Sequence, residues 1–128
     1  MSFFNKKKKI LVVEDEPDIA DGLKARLEVA GYKVLIENNG QSAIETARSK
    51  KPDLVVLDLM IPKIDGYDVC RILKREDRTK KIPVLVLTAL QMVGDVNKAF
   101  EVGAADYIAK PFTNDKLLDK IEKLLSSD

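Results

Sequence analysis

Reactive polar side chains follow short apolar runs at several points of this 128-residue sequence. The clearest case is Asp58, which directly follows the apolar run 54–57. An unpaired carboxylate is costly inside a protein, so an aspartate in this place must face a metal, a polar site or water. Other apolar runs lead into further carboxylates, a hydroxyl and an amine, namely Glu14, Asp15, Thr88 and Lys110. Together these groups have the chemistry of a metal and phosphoryl site.

Short apolar runs alternate with helix-like spacings along the chain, and this alternation predicts five strands and five helices. The predicted strands cover residues 9–13, 33–37, 54–57, 84–88 and 107–109. Asn39 and Asp65 are suited to cap the second and third helices, and the fifth helix is predicted to start at Thr113. Helical spacing marks the apolar positions of the five helices as Ile19, Leu23, Leu27, Ala30, Ala43, Ile44, Ala47, Val69, Cys70, Leu73, Val96, Ala99, Phe100, Leu117, Leu118, Ile121, Leu124 and Leu125.

Five strand–helix units within one short domain imply a parallel sheet that is covered by helices on both faces. A closed barrel of such units needs far more chain, so we predict an α/β fold with an open, doubly wound, five-stranded sheet. Ligands of open sheets bind beyond the carboxyl ends of the strands. The expected site therefore gathers the strand-end side chains in one crevice: Glu14, Asp15, Asp58, Thr88 and Lys110.

The composition excludes several classes of function. The chain has no histidine, which rules out a histidine base, a histidine metal ligand and a phosphohistidine carrier. Because 22 basic residues balance 21 acidic ones, we expect no direct nucleic-acid partner. Cys70 is the only cysteine, so we expect no internal disulfide and a reducing, cytoplasmic location. No apolar run is long enough to cross a bilayer, and no membrane partner is expected. Residues 1–8 are predicted to be a basic leader, and residues 9–126 a single domain.

The whole chain resembles the receiver domains of response regulators in two-component signalling. The resemblance is carried by five stretches, 10–17, 53–62, 65–66, 87–89 and 103–112, which come in the order and at the spacing of that family. It implies a flavodoxin-like strand order, 2-1-3-4-5. It also implies that the domain is a switch, phosphorylated by a sensor histidine kinase or a histidine phosphotransfer protein. The implied partner of the phosphorylated form is a downstream protein or a fused output domain.

The resemblance implies a Mg²⁺ site as well. Asp58 matches the phospho-acceptor, and Asp15 matches the direct metal ligand. Glu14 corresponds to an acidic position that acts mainly through water. The backbone of Met60 matches a further metal-binding and phosphoryl-binding position, through its carbonyl oxygen.

The remaining matches concern the phosphoryl group and the switch. Lys110 matches the phosphoryl-binding lysine, and a cis peptide bond is expected between it and Pro111. Thr88 matches the switch hydroxyl, and the N–H of Ala89 matches a phosphoryl-binding group. Tyr107 corresponds to the aromatic switch residue. The surface of the fourth helix, last strand and fifth helix is expected to change on phosphorylation.

Other functions for the same residues were weighed. A haloacid-dehalogenase-type phosphatase needs a carboxylate two residues after its nucleophile, where this chain has Met60. A flavodoxin-like cofactor binder needs a phosphate loop after the first strand, where Glu14 and Asp15 would repel phosphate. A receiver-like interaction module that is never phosphorylated stays open as the alternative function. Beyond its own phosphorylation and dephosphorylation, the chain is not expected to turn over a substrate.

Overall fold

The computed structural model of the chain describes residues 7–61, 63–89 and 93–126, where strands and helices alternate as the sequence predicts. The elements are β1 (Lys9–Val13), α1 (Pro17–Val29), β2 (Lys33–Glu37), α2 (Gly40–Lys50), β3 (Leu54–Asp58), α3 (Gly66–Arg75), β4 (Val84–Thr88), α4 (Val93–Glu101), β5 (Asp106–Ala109) and α5 (Asn114–Ser126). The strands form one parallel sheet in the order β2-β1-β3-β4-β5. The predicted fold class and strand order are therefore confirmed.

Two of the strands are one residue longer than predicted. β3 extends to Asp58, which pairs with Leu87 in the ladder to β4. β5 begins at Asp106, which pairs with Leu85. Asp58 is therefore part of the central sheet, and its backbone position is set by the neighbouring strand.

Both faces of the sheet are buried under helices. Successive strand residues point to opposite sides, so each strand contributes to both cores. Leu11 and Val13 pack in a core cluster with residues of α2, α3 and α4. Ile10 and Val12 pack in a second cluster with residues of α1 and α5. This two-sided burial explains why the inner strands read as almost unbroken apolar runs.

Side-chain caps precede three of the helices, and the caps at Asn39 and Asp65 are those that the sequence predicts. Asn39 Oδ1 accepts a hydrogen bond of 2.9 Å from the Ser42 N–H. Asp65 Oδ1 accepts one of 2.7 Å from the Tyr67 N–H. Thr113 Oγ1 accepts one of 3.1 Å from the N–H of Lys116, so α5 itself starts one residue later than predicted.

The predicted buried faces are confirmed in full for α2 and α3, and in part for the other helices. The prediction is wrong for Phe100, which is 46% exposed on α4, while Ala99 beside it is fully buried. On α1, Ala20 is buried and Ile19 is 42% exposed. The positions that are only half-buried or exposed are Ala30, Val96, Leu118, Leu124 and Leu125. Helical spacing predicts which side of a helix faces the sheet. How many residues on that side become buried depends on how the helix packs against the sheet.

The chain between β3 and α3 is held close to the sheet. A Cβ atom placed on Gly66 would lie 2.6 Å from the Cα atom of Leu59. Only glycine fits at this distance, so the first turn of α3 sits directly against the residue that follows Asp58.

No helix within the described ranges is both long and apolar enough to cross a membrane. The predicted leader, 1–8, lies outside the described residues except for Lys7 and Lys8, which are exposed.

Candidate functional site

Asp58 stands at the carboxyl end of the central strand and is almost completely buried, with 3% of its surface exposed. Its Oδ1 accepts a hydrogen bond of 2.9 Å from the Met60 N–H. Its Oδ2 accepts one of 2.7 Å from Nζ of Lys110. A buried carboxylate needs such partners, and the ammonium group balances its charge directly.

Lys110 reaches Asp58 from the loop that follows β5. Its backbone N–H donates to the carbonyl oxygen of Thr88 over 2.7 Å, which ties this loop to the end of β4. The peptide bond between Lys110 and Pro111 is cis, as expected. The Lys110 ammonium also lies 3.9 Å from Oε1 of Glu14, so it faces two acidic groups.

Glu14 directly follows β1 and is only 2% exposed. Its Oε2 accepts a hydrogen bond of 3.2 Å from the Glu16 N–H, while its Oε1 has no hydrogen-bond partner in the described part of the chain. Burial, together with the neighbouring Asp58 carboxylate, raises the pKa of Glu14 to about 7. The Lys110 ammonium near Oε1 is shared with Asp58, so the ionised form of Glu14 is only partly balanced, and a cation would complete the balance.

The donor set is suited to a hard cation. Within the described ranges, no three acidic or cysteine side chains are arranged so that they alone could hold a metal ion, and Asp15 is exposed. Mg²⁺ does not need such a cage, because it keeps several waters and binds through one or two carboxylates. The buried Glu14 Oε1, which accepts no hydrogen bond from the described residues, fits a hydrated Mg²⁺ at this edge of the sheet.

A cavity of about 230 Å³ opens beside Asp58, between the ends of β3 and β4. Its lining consists of Leu59, Met60, Asp65, Tyr67, Thr88 and Ala89. Thr88 is 6% exposed, whereas the side chain of Met60 is 77% exposed. Tyr67 was not singled out from the sequence. The signal that could have found it is an aromatic residue in the first turn of the helix that begins just after the candidate nucleophile.

Tyr107 lies further down β5, where it pairs with Val86 rather than with Thr88. It is half-buried, and the ring of Phe100 meets it edge-on with centroids 6.1 Å apart. Lys120 of α5 lies 5.9 Å from the Tyr107 ring and forms an ion pair of 2.8 Å with Asp106. The predicted switch residue is therefore enclosed by α4 on one side and by α5 on the other.

The structure brings most of the predicted site residues to one edge of the sheet. Glu14, Asp58 and Lys110 are within contact distance of one another, and Thr88 is joined to Lys110 through its backbone. Asp15 follows the same strand as Glu14 but is exposed, and Tyr107 is set back from the edge.

An open parallel sheet of this order, with a buried aspartate at its central carboxyl edge beside a lysine and an acidic pair, defines the class of doubly wound α/β receiver domains. Residues 10–122 match the response regulator receiver domain family. The chain belongs to this family, which serves two-component signalling.

Three known proteins illustrate the similarity. The DNA-binding dual master transcriptional regulator RpaA of Synechocystis is 44% identical over 117 residues, which are 91% of this chain and 48% of that protein. The receiver domain of a Pseudomonas aeruginosa sensor histidine kinase has a magnesium ion coordinated in its active-site cleft. It is 30% identical to this chain, with a TM-score of 0.88, and the match covers 95% of this chain and 100% of that domain. The BeF3-activated receiver domain of RstA from Klebsiella pneumoniae is 34% identical, with a TM-score of 0.86, and the match covers 94% of this chain and 100% of that domain. The chain spans about half the length of the curated relatives it matches.

Proposed function

We propose that this domain is a phosphorylation-activated switch in which Asp58 accepts the phosphoryl group. The observation that carries the proposal is the pair formed by the buried Asp58 carboxylate and Nζ of Lys110, 2.7 Å apart at the carboxyl end of the central strand. A buried aspartate in a core strand contributes little to packing, and its lysine partner has the charge that a phosphoryl group requires.

The chemistry needs no general base, because an ionised carboxylate is already a nucleophile. One oxygen of Asp58 attacks phosphorus, the bond between phosphorus and the donor breaks, and the donor leaves with that electron pair. The product is an acyl phosphate. Lys110 then contacts a phosphoryl oxygen as well as the aspartate, and the hydroxyl of Thr88 and the N–H of Ala89 are further donors to the phosphoryl group.

When bound at this edge of the sheet, Mg²⁺ would supply positive charge beside the phosphoryl oxygens. We propose that Asp15, Asp58 and the backbone carbonyl of Met60 hold it, and that Glu14 acts through water. The buried Glu14 Oε1, to which no residue in the described ranges donates a hydrogen bond, supports this assignment. So does the magnesium ion in the active-site cleft of the Pseudomonas aeruginosa relative.

The proposed donor is a sensor histidine kinase or a histidine phosphotransfer protein. A groove of about 480 Å³ leads from the site along α1, and its lining includes Glu14 and Lys110 together with apolar side chains of Ile19, Leu23 and Phe112. An apolar surface that is continuous with the reactive groups is suited to a protein donor, because it gives that donor a place to bind.

The proposed output is a change in the face built from α4, β5 and α5. Thr88 moves towards the phosphoryl group, and Tyr107 follows into the space that it leaves. The edge contact between Phe100 and Tyr107 supports this coupling, because it links the switch residue to an exposed residue of α4. The partner of this face is a downstream protein or a fused output domain.

The expectation of no direct nucleic-acid partner concerns this domain and not a longer protein that contains it. RpaA is a DNA-binding regulator, and this chain corresponds to about half of its length. We propose that the domain itself acts through protein contacts.

Intact-mass measurement tests the proposal. The protein is incubated with Mg²⁺ and a small-molecule phosphodonor such as acetyl phosphate, and one phosphoryl group should be added to the parent and none to Asp58→Asn. Asp53→Asn, at the opposite edge of the sheet, is the matched control and should be labelled like the parent. Equal labelling of Asp58→Asn would refute Asp58 as the acceptor. A parent protein that is never labelled would favour the alternative, an unphosphorylated interaction module.

A further inference from the structure

Tyr67 and Lys98 connect α3 to α4 beside the candidate site. The Nζ of Lys98 lies 4.4 Å from the centroid of the Tyr67 ring, within the range at which an ammonium group is attracted to an aromatic face. Lys98 is exposed in the last turn of α4 and makes no salt bridge with any residue that the structure describes. The ring of Tyr67 is therefore its recorded partner.

Tyr67 belongs to a closely packed turn at the start of α3. It is the second residue of α3, and its backbone N–H is held by the Asp65 cap. Gly66 before it leaves no room for a Cβ atom against Leu59, so this turn cannot shift without disturbing the chain just after Asp58. The backbone of Tyr67 is thus positioned by β3 and α3.

The same ring borders the cavity at the end of β4. Tyr67 lines this space of about 230 Å³ together with Thr88 and Ala89, the residues that lead from β4 towards α4. On its other side, α4 contacts β5 through the Phe100–Tyr107 ring pair. Through its described residues, the helix is therefore in aromatic contact with α3 and also with β5.

We propose that the contact between Lys98 and Tyr67 positions α4 in the unphosphorylated arrangement and so opposes activation. This inference rests on the proposed function. If a phosphoryl group on Asp58 draws Thr88 and Ala89 towards it, α4 moves with β4, while the Tyr67 ring stays with α3.

A contact that exists in one of two arrangements shifts their equilibrium by its own free energy. For an exposed cation–π contact this corresponds to about a two- to fivefold change in the equilibrium constant. Tyr67 and Lys98 are thus positioning residues for the switch, and neither takes part in the chemistry.

The variant Lys98→Met tests the proposal, because it removes the charge and keeps an unbranched side chain. In the unmodified protein, amide exchange within residues 96–101 should become about two- to fivefold faster. With Mg²⁺ present, the dissociation constant for beryllofluoride, a phosphoryl mimic, should fall by a similar factor. If Lys98 had only a structural role, Lys98→Met would speed amide exchange throughout the core and leave the dissociation constant for beryllofluoride unchanged.

Two further variants identify the interaction. Lys98→Arg keeps a cation that can lie over the ring, and it should restore the parent values. Tyr67→Leu removes the ring, and adding Lys98→Met to it should then have no further effect on beryllofluoride binding. Unchanged beryllofluoride binding by Lys98→Met, or no rescue by arginine, would overturn the inference. A parent protein that binds no beryllofluoride would instead overturn the proposed function, and this is seen before any substitution is made.

Discussion

Lys110 lies closer to one of its two carboxylate partners than to the other: its Nζ is 2.7 Å from Oδ2 of Asp58 and 3.9 Å from Oε1 of Glu14. One ammonium group cannot fully neutralise two buried acids. The aspartate receives the direct ion pair, while the pKa of Glu14 rises to about 7, mainly because that side chain is buried. The site without metal therefore has an unbalanced acid, and this imbalance is the basis of two predictions.

Glu14→Gln should stabilise the metal-free protein in a pH-dependent way. The pKa of Glu14 is about 7 in the folded protein and about 4.5 in the unfolded chain, so ionisation destabilises the folded state. This penalty is absent below pH 4.5, grows as the pH rises to 7 and is complete above it. The stability gained by Glu14→Gln should therefore increase across this window and reach about 1–3 kcal/mol.

Urea unfolding with a metal chelator present, from about pH 4 to about pH 8, measures this effect on both sides of the window. Glu45→Gln, at an exposed position of α2, is the control and should change stability little. A gain from Glu14→Gln that is the same at all pH values would contradict the argument.

Asp58→Asn should stabilise the metal-free protein near neutral pH by roughly 1 kcal/mol, because it removes a charge beside Glu14 and frees Lys110 to pair with that residue. Mg²⁺ should stabilise the parent more than this variant, since a ligand stabilises the folded state more when it binds that state more tightly. Urea melts with and without Mg²⁺ measure both effects. If the metal-free variant is clearly less stable than the parent, the idea of repulsion between the carboxylates is wrong.

Gly66→Ala should destabilise the protein by about 1–3 kcal/mol, because the new methyl group would overlap with the backbone of Leu59. Gly22→Ala is a matched control within α1, where an added Cβ meets nothing within 4 Å. That control should stabilise the protein by about 0.5–1 kcal/mol, since alanine favours helix over glycine. Thermal or urea unfolding distinguishes the two, and equal effects at both positions would exclude a tight contact at the start of α3.

Thr88→Ala should still accept a phosphoryl group but transmit less of the change to the face of α4, β5 and α5. The hydroxyl contacts the phosphoryl group in the proposed switch, whereas Asp58 and Lys110 perform the transfer. Amide-exchange maps with and without beryllofluoride measure the transmitted change. Lys110→Ala is the informative comparison, because it should impair both phosphorylation and transmission. If residues 93–112 of the parent do not respond to beryllofluoride, the proposed switch mechanism is wrong.

Local sequence patterns were sufficient for the order of the elements. Burial on both faces makes the inner strands almost unbroken apolar runs, whereas each helix has apolar residues at a spacing of three to four. They were also sufficient for the caps at Asn39 and Asp65, where one side chain satisfies the backbone of its own helix. The edge at which Asp58 and Lys110 meet followed from the parallel direction of the strands, since the carboxyl ends of parallel strands share one side of the sheet.

Only the tertiary structure decided which groups lie in contact and how deeply each is buried. Glu14 and Asp15 are neighbours in the sequence, yet one is 2% exposed and the other is open to solvent. Helical spacing placed Phe100 in the core, but α4 lies over the sheet in a way that leaves its ring half outside, against Tyr107. The contact of Lys98 with Tyr67 joins two helices that are far apart in the chain. Such relationships depend on the packing of whole elements against one another, and no local period of the sequence encodes that packing.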